Sequence, residues 1–116
     1  MAEFTKHISE PWFSLIKVGC KTCEGRLGKG DFAKMKKNDY VIFENSDLGF
    51  ARTVRVKITS IHNYNSFIKY LETETVENCL PGIDNLDDGL KVYYKYFSKE
   101  DEEKYKVVAV RLKVIK

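Results

Sequence analysis

In Gly19-Cys20-Lys21-Thr22-Cys23-Glu24-Gly25-Arg26 a helix ends, a strand begins, and three charged side chains crowd the junction. Upstream, Ser9-Glu10-Pro11 supplies a capping residue, an acid and a proline, the usual ingredients of a helix start. Trp12, Leu15 and Ile16 share one face of the helix that follows. Gly19 is its natural end, because glycine adopts the left-handed conformation of a helix C-terminus at little steric cost. Beyond it residues 21–27 read as extended. Glu24 and Arg26 stand two apart and face the same side of a strand. Lys21 has the opposite parity, a conflict that vanishes if residues 20–22 still belong to the turn.

Working outward, Phe4 to Ile8 reads as a short strand, Gly28-Lys29-Gly30 as a break, and Tyr40 to Glu44 as an apolar strand bounded by Asn38-Asp39 and by Asn45-Ser46-Asp47 with Gly49. The clearest alternation follows: Val54, Val56 and Ile58 point one way, and Arg55, Lys57 and Thr59 the other. From Ser66 the pattern turns helical, with Phe67, Ile68 and Leu71 on one side, until Leu80-Pro81-Gly82 interrupts it. A second helix spans residues 86–97, its buried stripe being Leu86, Leu90, Tyr93 and Phe97. Glu100-Asp101-Glu102-Glu103 reads as a solvated turn. Val108, Val110, Leu112 and Val114 then alternate with Ala109, Arg111, Lys113 and Ile115 in a closing strand. No strand-helix unit repeats to suggest a wholly parallel sheet. The fold class is α+β: a small, mostly antiparallel β-barrel flanked by helices.

A chain of 116 residues suits one domain, residues 1–116, with one core and no need of metals or disulfides. No apolar run approaches the roughly 20 residues of a membrane span, and no signal-peptide stretch opens the chain. Cys20, Cys23 and Cys79 form no disulfide framework, which suits a reducing compartment. The expectation is an intracellular, soluble protein. The net charge of +3 is unevenly spread. Residues 1–70 carry 12 Lys/Arg against 7 Asp/Glu, residues 106–116 carry 4 against none, and residues 71–105 carry 4 against 10. If the first and last segments are neighbours, one face is basic and attracts polyanions.

The pattern G-x-K-x-x-E-x-R behind a short helix resembles the signature of the ASCH domain, a branch of the PUA-like superfamily. The likeness continues through Asp39 to Phe43, Tyr64 with Ser66-Phe67, Leu80-Pro81-Gly82, a Tyr-rich helix and Glu103 to Val108. It therefore covers nearly the whole chain. The resemblance implies a five- or six-stranded PUA-like barrel with a cleft over its mouth that holds RNA or a modified nucleoside. Position by position, Lys21, Glu24 and Arg26 match the signature residues and Gly19 the turn glycine. Lys21 and Arg26 suit a phosphate or a carbonyl, and Glu24 suits the donors of a base edge. The plainer alternative is an ion pair between Glu24 and Arg26 with Lys21 simply exposed.

Hydrolytic alternatives stay open. Some small ASCH proteins resemble amidohydrolases of N4-acetylcytidine that use a lysine, a threonine and a glutamate. Lys21 matches the lysine, Glu24 stands where the threonine is expected, Thr22 has the wrong parity, and Glu72, Glu74 or Glu77 is the distal acid. A metal-independent ribonuclease would use Lys21 and Arg26 on the phosphate with Glu24 as base. In either version Lys21 and Glu24 are the catalytic candidates. A protein-interaction adaptor is the third class. Trp12 and Tyr94 are the candidate aromatic contacts for a base, although Trp12 at helical spacing with Leu15 and Ile16 also reads as core. Cys20 and Cys23 lack the second pair of ligands that structural zinc requires, even with His7 and His62. No metal or cofactor is expected. His62 has no nucleophilic partner in the sequence, and Lys34, Lys36 and Lys37 are secondary phosphate contacts. Oligomeric state is not encoded in any feature of the sequence.

Overall fold

Val54, Val56 and Ile58 do face inward, and the strand they belong to is the longest of the molecule. In the computed structural model, which describes residues 1–115, β1 spans Glu3–His7, β2 Cys23–Leu27, β3 Tyr40–Asn45, β4 Arg52–Tyr64 and β5 Val107–Val114. Lys116, counted above in the basic closing segment, lies outside the described residues. The sheet order is β1-β3-β4-β5-β2. β1 runs parallel to β3, and the other three pairings are antiparallel. The result is a five-stranded, mixed half-barrel in an α+β fold. A register shift between Ile58 and Ser60 bends β4, as bulges do in curved sheets.

The helices are α1 Trp12–Lys17, α2 Phe67–Glu74, α3 Val76–Cys79, α4 Leu86–Tyr94 and α5 Lys99–Tyr105, with one 3-10 turn at Gly30–Ala33. Two apolar clusters result. One lies between the inner sheet face and α1 and centres on Phe13, Ile16, Phe43, Val56 and Val110. The other lies between β2, β5 and the later helices and centres on Phe67, Tyr70, Leu71, Tyr93 and Ala109. β5 serves both, which is why Val107 to Val110 are all buried where simple alternation predicts half of them exposed.

Several sequence expectations are corrected here. The α2 face turns Tyr70 inward and leaves Ile68 exposed, because Tyr70 finds a hydroxyl partner in Tyr93 at 2.7 Å. In α1 the buried pair is Phe13 and Ile16, with Trp12 and Leu15 half-buried. The second long helix stops at Tyr94 rather than at residue 97. The acidic run is a helix, α5, capped by Ser98, and Glu102 is buried against α2, accepting from the Phe67 N–H at 2.7 Å. The charge segregation follows the layers: the sheet strands come from the basic segments and α3 to α5 from the acidic one, with α2 lying across the boundary. No helix of the described residues is long and apolar enough to cross a membrane.

Candidate functional site

The half-barrel leaves two edge strands, β1 and β2, and the charged side chains of the opening octet gather at the seam between them. Glu24 and Arg26 share a face of β2, and Arg26 Nε donates to Glu24 Oε2 at 2.8 Å. Arg26 Nη2 donates to the His7 carbonyl at 3.1 Å, tying β2 to the end of β1. Lys21 still belongs to the turn, where its N–H donates to the Leu15 carbonyl at 3.0 Å. Its parity is therefore free, and the side chain folds inward. Gly19 takes a φ of 87° as the glycine that ends α1.

Lys21 is 2% exposed, which removes the reading of it as a simple surface lysine. Its ammonium donates to the Cys23 carbonyl at 2.7 Å, to the Cys79 carbonyl, and to Glu24 Oε1 at 3.1 Å. A lysine ammonium has three N–H donors, and three acceptors surround this one. Burial pushes the Glu24 carboxyl up, but the charges of Lys21 and Arg26 and their hydrogen bonds outweigh it. Glu24 thus titrates below the ordinary carboxylate value and is ionised at neutral pH. Each of its oxygens accepts one bond from the protein and keeps one lone pair.

Lys21, Glu24, Gly25 and Arg26 line one side of a cleft of about 340 Å³; Trp12, Tyr93, Tyr96 and Phe97 line another. His7, Ile8 and Ser9 contribute from the end of β1. Gly25 is at the one place in β2 where a side chain has no room: a Cβ there would lie within 2.6 Å of Tyr70 Cε2. Trp12 is at once core and cleft wall, and its ring centre lies 6.0 Å from the Lys21 ammonium.

Four of the five residues singled out in the sequence thus meet in one cleft, and Tyr94 does not. Tyr94 lies in a neighbouring depression with Lys91 and Lys95, across a ridge formed by Trp12, Val92 and Tyr96. Its hydroxyl donates to Glu102 at 2.8 Å. Tyr96, 57% exposed, takes the cleft position instead, because the chain leaves α4 at Tyr94 and turns. That turn carries no signature in the sequence, and neither does the entry of Ser9 and His7 at the cleft edge.

None of the three distal acids reaches the cleft. Glu74 lies on the opposite side of β2, in a polar depression that also holds Thr22 and Arg111. Arg111 donates to it twice, at 2.8 and 3.0 Å, and the Tyr64 hydroxyl at 2.5 Å. Glu72 and Glu77 are exposed. His62 contacts the Ser60 hydroxyl at 3.2 Å, away from the cleft, and Lys34, Lys36 and Lys37 are exposed beyond the 3-10 turn. The C-x-x-C pair is split: Cys20 is exposed, whereas Cys23 is buried beside Cys79. Among the described residues no group of His, Cys, Asp and Glu is placed to hold a metal ion.

The fold of this chain is shared by the crystal structure of hypothetical protein PH0355, with a TM-score of 0.87 and 36% identity over 97% of this chain and 99% of that one. The solution structure of protein PF0455 from Pyrococcus furiosus gives a TM-score of 0.79 and 33% identity, covering 98% of each chain. Protein EF3133 from Enterococcus faecalis V583 shares the fold alone, with a TM-score of 0.67 at 12% identity over 99% of this chain and 81% of that one. No curated protein matches the sequence. The sequence pattern of the ASCH domain matches residues 7–116, and the chain belongs to the ASCH domain family.

Proposed function

We propose that the chain acts as one binding domain, residues 1–116, which holds a base of RNA or of a modified nucleoside in the cleft between β1 and β2. The observation that carries this reading is the state of Lys21. With all three N–H donors held by Cys23, Cys79 and Glu24, it is a positioning residue that fixes the Glu24 carboxylate. Glu24 and Arg26 are the groups left to meet a ligand, and both suit recognition of polar edges. The cleft lies within the roughly 300–1,000 Å³ range of small-molecule sites, mostly apolar with a few convergent polar groups. Trp12 and Tyr96 offer ring faces on which a base can stack. Lys91 and Lys95, across the ridge, are placed for a neighbouring phosphate.

Hydrolysis finds less support. Thr22 and Glu74 line the depression on the other side of β2, so neither accompanies Lys21 in the cleft. An amidohydrolase would need Lys21 to exchange protons, yet the ammonium is fully engaged. A ribonuclease would need Glu24 as base, and a carboxylate held below its ordinary pKa by two paired cations is a weak one.

Trp12 is the single tryptophan of the chain and lines the cleft, so its fluorescence reports occupancy. Titration with short single-stranded RNA and with free nucleosides is expected to change Trp12 emission, and the RNA affinity is expected to fall as salt rises. Tyr96→Ala, at an exposed position, should leave the fold intact and weaken binding by about 1–3 kcal/mol, the worth of one base–aromatic stack. No spectral change with any ligand, or equal affinities for wild type and Tyr96→Ala, would refute the reading. Binding of neither RNA nor nucleoside would favour the adaptor class.

A further inference from the structure

The alternation that buries Val54, Val56 and Ile58 on β4, and Leu112 on β5, leaves a basic outer face on each strand, and the cleft uses neither. Strand pairing brings the two faces together. Lys57 stands directly opposite Lys113 across the antiparallel ladder, with Tyr40 opposite Lys57 on its other side. Residues so opposed hold their Cβ atoms about 5 Å apart, and like charges at that spacing are destabilising. Ion pairing within the chain does not relieve the two ammoniums. The neighbouring guanidiniums are matched, Arg55 by Glu3 and Arg111 by Glu74, each at 2.8 Å. Among the described residues neither Lys57 nor Lys113 has a salt-bridge partner. Glu44, which shares the outer face of β3 with Tyr40, stands opposite Thr53, about 13 Å along the strand from Tyr40.

This face is open as well as basic. Helices cover it only where β5 begins: Val107 and Ala109 are buried there with Phe67, Tyr70 and Leu71, while Arg111 and Lys113, on the same face of β5, are exposed. The turn that carries the exposed Lys36 and Lys37 is fastened beside Lys57, the Asn38 N–H donating to the Ile58 carbonyl and the Ile58 N–H to the Asp39 carbonyl, both at 2.8 Å. The Asp39 carboxylate of that turn is buried and accepts from the Ala2 and Lys36 N–H groups. An opposed lysine couple without an acid costs stability in the free protein, and a polyanion turns that repulsion into attraction. We propose that the outer sheet face, centred on Lys57 and Lys113 and extended by Lys36 and Lys37, is a second contact surface, which takes the phosphate backbone of RNA without reading its bases. Ammonium groups on flexible stems suit that task, since they supply point charges and no fixed hydrogen-bonding fork. Leu48 and Phe50, the exposed apolar side chains of the β3–β4 connection, lie at the other end of these strands, away from the lysines, where they give this face no anchor for a bilayer. Naming RNA as the polyanion rests on the base-binding reading above; the surface is separate from the cleft.

The test is an anisotropy titration of a fluorescently labelled oligouridine with the wild-type protein and with the Lys57→Gln/Lys113→Gln double variant over a range of salt. Each single-strand phosphate contact adds about 0.7 to the slope of log affinity against log salt. Loss of two contacts is expected to lower that slope by about 1.4 and, read from about 1 M to about 0.1 M salt, to weaken binding by about 25-fold. Removing an opposed like-charged pair is expected to leave Tm unchanged or to raise it. Affinity for free nucleosides, read from Trp12 emission, is expected to stay at its wild-type value. Lys113→Gln alone should lower the slope by about 0.7 and decides the case if the double variant is unfolded. An unchanged slope and affinity, or a fall in Tm that accompanies the lost affinity, overturns the proposal and leaves the cleft reading standing. Binding of the wild type to anionic phospholipid vesicles but not to oligouridine assigns the face to a membrane surface and overturns it as well. Oligouridine binding that weakens as expected, with no nucleoside bound by any of these proteins, overturns the base-binding reading and leaves this surface standing.

Discussion

Replacing Lys21 by methionine keeps the length and most of the volume of the side chain and deletes its charge and three donors. Two buried carbonyls, those of Cys23 and Cys79, then lose their partner, and Glu24 keeps only Arg26. An unsatisfied buried acceptor costs about 1–3 kcal/mol, and removal of one partner from a buried ion pair about 3–5 kcal/mol. These overlap, because the same ammonium serves all three acceptors, so the expected loss is about 3–5 kcal/mol against a domain stability of about 5–15 kcal/mol. For a chain of this size that lowers Tm by about 12–20 °C. Thermal and urea unfolding followed by circular dichroism measure it, with an unchanged m-value required for the comparison. In a double-mutant cycle, Glu24→Gln should cost less in the Lys21→Met background than alone. Arg26→Met, whose side chain is partly solvated, should cost less than Lys21→Met. A Tm drop below about 4 °C for Lys21→Met would mean less than about 1 kcal/mol. That outcome would refute the view of Lys21 as a fixed positioning cation and return it to the ligand-contacting or catalytic role suggested by the signature.

Glu24 and Glu74 both titrate below the ordinary value of 4.5 in the folded chain. Their contribution to stability is therefore complete above that pH and lost as pH falls through the lower folded values; acid unfolding should be less steep for Glu74→Gln than for wild type. Gly25→Ala drives a methyl group into the fully buried Tyr70 ring and should destabilise by about 1–3 kcal/mol, with partial rescue by Tyr70→Leu; an undiminished Tm for Gly25→Ala would contradict that packing. Glu102→Ala removes the acceptor of the Phe67 N–H and the Tyr94 hydroxyl and should cost about 1.5–3 kcal/mol, whereas Glu100→Ala in the same acidic run should stay within about 0.5 kcal/mol. Urea unfolding of the two variants checks this, and equal losses would refute it.

The strand of Val54, Val56 and Ile58 is legible because a two-residue repeat follows from the pleat itself and needs no knowledge of the partner. The same holds for Glu24 and Arg26, whose shared face follows from their spacing and whose contact is observed at 2.8 Å. Tyr70 and Ile68 are not legible in this way. Hydrophobicity favours burying the isoleucine, and the structure buries the tyrosine, since Tyr93 lies 23 positions away in sequence yet within hydrogen-bond reach. Glu102 is hidden for the same reason. Within a run of four acids nothing local distinguishes the one that is buried on the first N–H of α2 from the three that are not. Lys21 combines both cases: its place in the turn is readable, but its burial depends on a carbonyl 58 residues away.

The cleft and the closure of the sheet have a common origin. A five-stranded sheet that curls only halfway leaves β1 and β2 as edges, and exposed edges invite unwanted pairing unless they are covered or charged. Here Arg26 reaches across to the His7 carbonyl, Lys21 draws β2 toward the end of α3 through Cys79, and Glu24 holds both cations. The ion triad thus closes the seam by side chains where backbone pairing stops. Closure of this kind leaves space that a β1–β2 ladder would have filled, and it leaves the Gly25 backbone open to that space. A charged residue at 25 would fill the gap, but the Tyr70 ring beneath excludes any side chain. The features that make the octet a structural clasp are therefore the features on which the proposed binding site rests. A variant that loosens the triad is expected to lose stability and ligand affinity together, whereas one on the aromatic wall, such as Tyr96→Ala, should lose affinity alone.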